Sequence, residues 1–242
     1  MHLKLEPKVN QSNLSELSGS RVNVRDLSRF SYPLQSDVAA IAVLLQQPGL
    51  FLDADTILLP NFDIKNYDPK KLTMYGQDLV AGNHPTCFFF TGLRENALLS
   101  AWLEEANERI AGKSNSLLLL RWWLRRRIRG KGIKVPWSFL GNDILDNLLR
   151  RNDFSACFEL RDAAETGMYS TERIIEAHSE FTRYEDLWFS PQFPVLGVLS
   201  TCHDGIISLQ NSWHPASFNK KSRSQVLADE ALVSRLIAHV LS

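Results

Sequence analysis

Residues 36–55 contain the pattern that most restricts how this chain folds. The stretch SDVAAIAVLLQQPG, residues 36–49, has apolar residues at helical spacing, begins at Ser36 as a predicted N-cap and ends in Pro-Gly. Residues 50–53, LFLD, follow as a short apolar strand that ends on an acid. Because RVNVR at 21–25 alternates like a strand, the region predicts a strand–helix–strand unit. Ligands of open α/β sheets bind just beyond the carboxyl ends of such strands.

The rest of the chain continues to interleave strands with helices. Apolar or alternating runs predict further strands, and amphipathic stretches predict further helices. The predicted strands are 72–75, 86–92, 156–160 and 205–210, and the predicted helices are 95–110, 141–150 and about 224–241. With no internal repeat and no low-complexity linker, this order predicts a single α/β domain over residues 1–242.

Composition excludes several classes of protein. Lys plus Arg and Asp plus Glu both number 27, and this zero net charge argues against a nucleic-acid partner. Cys87, Cys157 and Cys202 form no metal-binding pair, which favours a reducing, cytoplasmic compartment. The first residues lack the pattern of a signal peptide, and no apolar run is long enough for a transmembrane helix.

An acidic pair follows the predicted strand 50–53. In extended chain, the side chains of Asp53 and Asp55 would point the same way. Two such carboxylates can share a hard divalent cation such as Mg²⁺ or Mn²⁺, which can also bind the oxygens of a diphosphate. The alternative is a turn at the end of a strand with two solvated acids, and Asp-x-Asp alone occurs often by chance.

The segment from Ser36-Asp37 through the helix to Pro48-Gly49-Leu-Phe-Leu-Asp53-Ala-Asp55-Thr resembles the core signature of GT-A glycosyltransferases with a DxD motif. The most similar branch holds capsular polysaccharide synthesis proteins, yeast mannosyltransferase relatives and glycosylating bacterial toxins. The resemblance is specific over about residues 30–62. It implies a Rossmann-like, nucleotide-sugar-binding fold with a mixed central sheet flanked by helices.

The same resemblance implies roles for the acids of the first 62 residues. Asp53 would meet the ribose or the sugar of the donor, and Asp55 would bind Mn²⁺ or Mg²⁺ directly. Asp37, which precedes most of the helix, would help to hold the nucleotide-sugar donor. Residues 1–62 would then form the donor and metal-binding part, and residues 63–242 the acceptor part and a C-terminal closing segment.

Two further places in the chain receive roles by this resemblance. Ser212-Trp213 looks like the C-terminal Ser-Trp pair that closes over the nucleotide, and Asn211 or, preferably, His214 would add a metal ligand. Asp143 follows a glycine at a predicted helix start, as acceptor-side acids of such enzymes often do. In an inverting enzyme it would be the general base on the acceptor hydroxyl. The implied function is sugar transfer to a saccharide or lipid-linked saccharide in bacterial surface polysaccharide synthesis.

Two alternatives stay open. Ala39 and Ala40 stand where this branch has an early helix Arg, which favours a noncatalytic sugar- or membrane-binding relative. FLDADTI also approaches the first motif of haloacid dehalogenase-type phosphatases, in which Asp53 would be the nucleophile. That motif has Thr or Val where this chain has Ile57.

The strip of residues 121–134, RWWLRRRIRGKGIK, concentrates seven of the 27 cations and contains no acid. Trp and Leu alternate with the Arg residues, a pattern typical of an interfacial helix on an anionic membrane. The alternatives are a nucleic-acid patch and a solvated Arg face with both Trp in the core. The strip adds contact with the inner face of the membrane to the predicted cytoplasmic location. The rest of the chain keeps 20 cations against 27 acids.

Overall fold

The computed structural model describes residues 22–53, 55–76, 88–114, 133, 135–151, 153–162, 184–209 and 214–241. The helices are α1 (Val24–Leu27), α2 (Tyr32–Gln46), α3 (Ala97–Ser114), α4 (Asn142–Arg150), α5 (Tyr184–Trp188), α6 (Val195–Leu199), α7 (Arg223–Leu227) and α8 (Leu232–Leu241). The strands are β1 (Gly49–Leu52), β2 (Thr56–Leu58), β3 (Leu72–Gly76), β4 (Phe88–Thr91), β5 (Phe158–Asp162) and β6 (Ile206–Ser208).

The helix before the acidic pair begins five residues earlier than predicted. Ser31, not Ser36, is the N-cap of α2, and Ser36 is an exposed residue inside the helix. Pro33 lies in the first turn, where its fixed φ suits a helix and its missing N–H leaves no bond unmade. The helix ends as predicted before Pro48, and β1 starts at Gly49.

The predicted strand at 21–25 is wrong. Residues Val24–Leu27 form the short helix α1, because Asn23 caps them. The Asn23 carbonyl accepts the N–H of Leu27 at 3.0 Å, and its side-chain oxygen accepts the N–H of Asp26 at 3.2 Å. The hydrogen bonds of the Asn23 cap thus decide the local structure, because the alternation of Val22 and Val24 covers too few residues to specify a strand. The predicted strand–helix–strand unit therefore lacks its first strand.

Four strands form a mixed sheet in the order β1-β4-β3-β5. β1 and β3 are both antiparallel to β4, whereas β3 and β5 are parallel. All of β4 is buried, as expected for an interior strand that is covered on both faces. β2 and β6 form a separate antiparallel pair, here called the ribbon. The fold is mixed α/β, as the sequence predicts.

One face of the sheet, here called the helical face, carries the main apolar core. Leu72, Met74 and Phe89 point from the sheet into this core. Residues of α1, α2, α3 and α4 supply the rest, and the Phe89 ring meets Trp102 edge-on at 5.6 Å. The helices therefore cover one side of the sheet as an amphipathic layer.

The opposite face, here called the ribbon face, is covered by residues 62–67 and the ribbon. Tyr75, Phe88 and Phe90 point to this side and pack with Tyr67 and with Ile206 of β6. A third apolar cluster joins the ribbon to α5, α6 and α8, with Trp188 and Leu232 fully buried. The predicted C-terminal helix is interrupted, because residues 228–231 separate α7 from α8. No helix within the described residues has the length and apolarity needed to cross a membrane.

Candidate functional site

The acidic pair lies in a turn between β1 and β2. Extended chain through Asp53 and Asp55 is therefore wrong: the N–H of Thr56 bonds to the carbonyl of Asp53 at 3.0 Å and closes a reverse turn. Asp is a preferred first residue of such turns. The turn leads the chain out of the sheet, so Asp53 directly follows β1 and Asp55 directly precedes β2.

The two carboxylates still influence each other in this turn. Burial, and next to it the negative charge of Asp55, raises the pKa of Asp53 from 3.8 to about 6. A carboxylate destabilised by desolvation and by a like charge gains from a cation placed between the two acids. Both side chains are only half-buried, so an ion would reach them from solvent.

His214 is bonded to the backbone that follows the ribbon. The carbonyl of Leu209 accepts a hydrogen bond from the His214 imidazole, and the N–H of Leu209 bonds to the carbonyl of Asp55 at 2.9 Å. The ring is almost completely buried and meets Phe189 and Phe218 edge-on. Burial lowers the pKa of His214, against the opposing effects of the Leu209 bond and the Asp55 charge. The ring is therefore neutral at pH 7, the form that binds metals.

Among the described residues, the candidate metal ligands are two carboxylates, which do not by themselves complete the coordination of an ion. No group of three or more His, Cys, Asp and Glu within the described ranges is placed to hold one ion. Asp53 and Asp55 are nevertheless the hard oxygen donors that Mg²⁺ and Mn²⁺ prefer, and such ions often use one or two carboxylates and take further ligands from phosphates. The pair fits a cation delivered with a diphosphate, while His214 as a third ligand stays a prediction.

Asp37 and Asp143 both lie near the start of α4. A β-carbon on Gly141, the residue before α4, would collide with the carboxylate of Asp37. Negative charge is stabilised there by the N-terminal end of the helix. Asp143 lies in the first turn of α4, with its N–H bonded to the carbonyl of Ser138 at 3.0 Å.

Asp37 on α2 and Asp143 on α4 lie toward the same end of the sheet as Asp53. Ten residues separate Asp37 from Gln47, which is about 15 Å along a helix. After a tight connection, β1 runs back beside α2 over a similar length before it reaches Asp53. The resemblance-based roles of Asp37 with the donor and of Asp143 as a base stay predictions.

Several predicted site residues lie outside the described residues. These are Ser212 and Trp213, together with Asn211 and the strip 121–134 apart from Ile133. Ile133 packs against the main core, and its N–H bonds to the carbonyl of Arg29 at 3.1 Å. Ile133 is thus attached next to α1.

A partly buried polar network on the ribbon face was not predicted from the sequence. The Tyr75 hydroxyl donates to Asp204 Oδ2 at 2.6 Å, and Arg161 Nη1 donates to the same oxygen at 3.1 Å. The Tyr67 hydroxyl lies 3.0 Å from that of Tyr75, and its ring lies under the Arg161 guanidinium at 4.3 Å. Asp204-Gly205 is a recognisable turn dipeptide, but nothing in the sequence indicates its partners 129 and 43 residues away.

A cavity of about 720 Å³ lies between α2 and α3 and does not coincide with the acidic pair. Its walls include Leu45 and Gln46 at the end of α2, and Arg94 and Glu95 after β4. Since Gly49 pairs with Thr91, this is the end of the sheet opposite to Asp53.

Comparison with family models, with curated proteins and with solved structures finds no match for this chain. The resemblance to DxD glycosyltransferases therefore depends on the motif around Asp53 and Asp55 and on the surroundings described above.

Proposed function

We propose that this protein is a GT-A-like glycosyltransferase that moves a sugar from a nucleotide-sugar donor to a saccharide or lipid-linked saccharide, with Mn²⁺ or Mg²⁺ bound at Asp53 and Asp55. The observation that carries the proposal is the electrostatic coupling of these two acids at the end of an apolar sheet strand. Burial and the charge of Asp55 disfavour ionised Asp53 in the absence of a counter-charge.

In this proposal the bound cation supplies charge stabilisation to the departing nucleoside diphosphate. Asp55 would hold the cation, and Asp53 would orient the donor from the end of β1. The His214 ring bonds to the carbonyl of Leu209, and in its neutral form it would serve as a further ligand. Asp143 would accept the proton of the acceptor hydroxyl from the start of α4 if the reaction inverts the anomeric centre.

The test is turnover and binding with a panel of UDP- and GDP-sugars and Mn²⁺. Asp55→Ala is expected to abolish metal-dependent turnover while circular dichroism and thermal unfolding show an intact fold. Asp153→Ala is the matched control, because Asp153 is an exposed acid away from the turn. An unchanged rate in Asp55→Ala overturns the proposal.

The same preparation separates the alternatives. If calorimetry detects no binding of any donor, the result favours a noncatalytic relative. Release of phosphate from an aryl phosphate that requires Asp53 indicates the phosphatase.

The membrane part of the proposal concerns residues 121–134. Flotation with anionic liposomes is expected to recover the protein, and neutralising Arg125, Arg126 and Arg127 together is expected to abolish recovery. Equal recovery of the variant removes the strip from the proposal and leaves the transferase part untouched.

A further inference from the structure

Asp55 directly precedes the ribbon, yet no β-ladder among the described residues joins the ribbon to the sheet. Apolar contacts between Ile206, Tyr75 and Phe88 connect the two. Such contacts are non-directional and tolerate sliding of one surface on the other. Hydrogen bonds with fixed geometry are needed to hold one register.

Asp204 supplies that geometry at the start of β6. Its Oδ2 accepts from Tyr75 on β3 and from Arg161 on β5, which are register partners in the parallel pair. Burial first, and then the hydrogen bonds with Asp204 and Tyr67, raise the pKa of Tyr75 above its usual value. The phenol therefore keeps its proton and donates.

The turn after Asp204 transmits this attachment to the acidic pair. Gly205 has a φ of 71°, and its carbonyl accepts the N–H of Leu59 at 2.8 Å. β6 then pairs Ser208 with Thr56, and Leu209 bonds to the carbonyl of Asp55. The short strand β6 thus connects Asp204 with Leu209. The N–H of Leu209 bonds to the carbonyl of Asp55, and its own carbonyl bonds to the His214 ring.

We propose that Asp204 is a positioning residue: held by Tyr75 and Arg161, it fixes the ribbon on the sheet and thereby places Asp55 and His214. Its effect on metal binding rests on the proposed function, whereas its effect on the ribbon does not. Asp204 acts through β6 and touches neither the metal nor the donor.

The experiment compares Asp204→Asn with Glu159→Gln by amide hydrogen exchange and by Mn²⁺ titration of the full chain. Glu159 is the matched control, because it pairs with the same guanidinium at 3.2 Å but belongs to the sheet strand β5 and not to the segment that leads into β6. In Asp204→Asn, the amides of Leu59 and Leu209 are expected to exchange about tenfold faster, while those of β1 and β4 keep their protection.

The Mn²⁺ affinity of Asp204→Asn is expected to fall about tenfold, as for other groups that hold metal ligands in place. Glu159→Gln is expected to stay within about twofold of the wild type in both measurements. Three results would overturn the proposal. The ribbon amides of Asp204→Asn could be as protected as in the wild type, the two variants could have equal effects, or amide exchange in Asp204→Asn could accelerate equally in every strand.

The Mn²⁺ arm is scored separately from the exchange arm. A loosened ribbon with unchanged Mn²⁺ affinity shows that Asp204 does not position the site and overturns that role. If the wild type binds no Mn²⁺, the proposed function fails, and the exchange comparison still decides whether Asp204 holds the ribbon. If Asp204→Asn does not fold, Tyr75→Phe removes one of its two donors at nearly constant volume and undergoes the same comparison.

Discussion

The two faces of the sheet are stabilised in different ways. On the helical face, Leu72, Met74 and Phe89 meet helices through an almost wholly apolar core in which Trp102 is fully buried. On the ribbon face, aromatic rings surround a hydrogen-bonded acid, Asp204, that holds two elements distant in sequence. We therefore expect the helical face to provide most of the stability, and the ribbon face, as proposed above, to determine where Asp55 lies.

The largest expected effect tests the first half of this comparison. Trp102→Ala removes a fully buried ring and its hydrogen bond to the Leu140 carbonyl at 2.9 Å. We expect a loss of about 3–5 kcal/mol in the free energy of unfolding, measured by urea denaturation. Phe62→Ala removes a half-buried ring on the ribbon face and is expected to lower the free energy of unfolding by clearly less. Equal costs would contradict the assignment of stability to the helical face.

The next effect concerns the polar edge of the helical face. Gly141→Ala places a methyl group against the Asp37 carboxylate, and overpacking of this kind costs about 1–3 kcal/mol. The measurement is a double-mutant cycle with Asp37→Ala, which removes the obstructing carboxylate. Recovery of part of the loss in the double variant is expected, and strict additivity would show that the two residues do not meet.

A pH-dependent effect is expected at the acidic pair. Because folding raises the pKa of Asp53 to about 6, the native state binds more protons than the unfolded state between about pH 4 and 6. The contribution of Asp53 to stability is therefore greatest below this range and is lost as the pH rises through it.

Asp53→Asn removes this pH dependence, because the amide stays neutral like the protonated acid at every pH. Urea unfolding is measured at several pH values. Between pH 4 and 7, the free energy of unfolding of the variant is expected to rise relative to that of the wild type, and at pH 7 it is expected to be the larger of the two. At pH 7, Mn²⁺ is expected to stabilise the wild type more than the variant. A constant difference across this range would show that Asp53 titrates normally.

The smallest effect separates satisfied from unsatisfied hydroxyls in the sheet. Thr73 Oγ1 is buried and has no hydrogen-bond partner among the described residues, whereas Thr91 Oγ1 accepts the N–H of Leu93 at 3.2 Å. We expect Thr73→Val to raise the free energy of unfolding by about 1 kcal/mol or less and Thr91→Val to lower it by about 1 kcal/mol. Thermal unfolding of the two variants measures both signs, and a loss in Thr73→Val would reveal a partner for its hydroxyl.

Local patterns predicted the regular elements better than the site. The α3 and α4 segments, β3 and β4 were found from periodicity, because one buried side gives a repeat that is visible within a few residues. The prediction at 21–25 failed because one Asn cap decided a short segment. The extended Asp53–Asp55 segment failed because a turn is selected by where the chain goes next, into the ribbon.

The sequence by itself determined the α/β class, the apolar strand β1 and the acids that follow it, since each depends on residues close together in the chain. Tertiary structure alone decided that Asp37 faces Gly141, that β6 pairs with β2, and that Asp204 meets Tyr75 and Arg161. These contacts join residues that are far apart along the chain. Their free energy depends on packing and desolvation, which arise only when the distant segments come together.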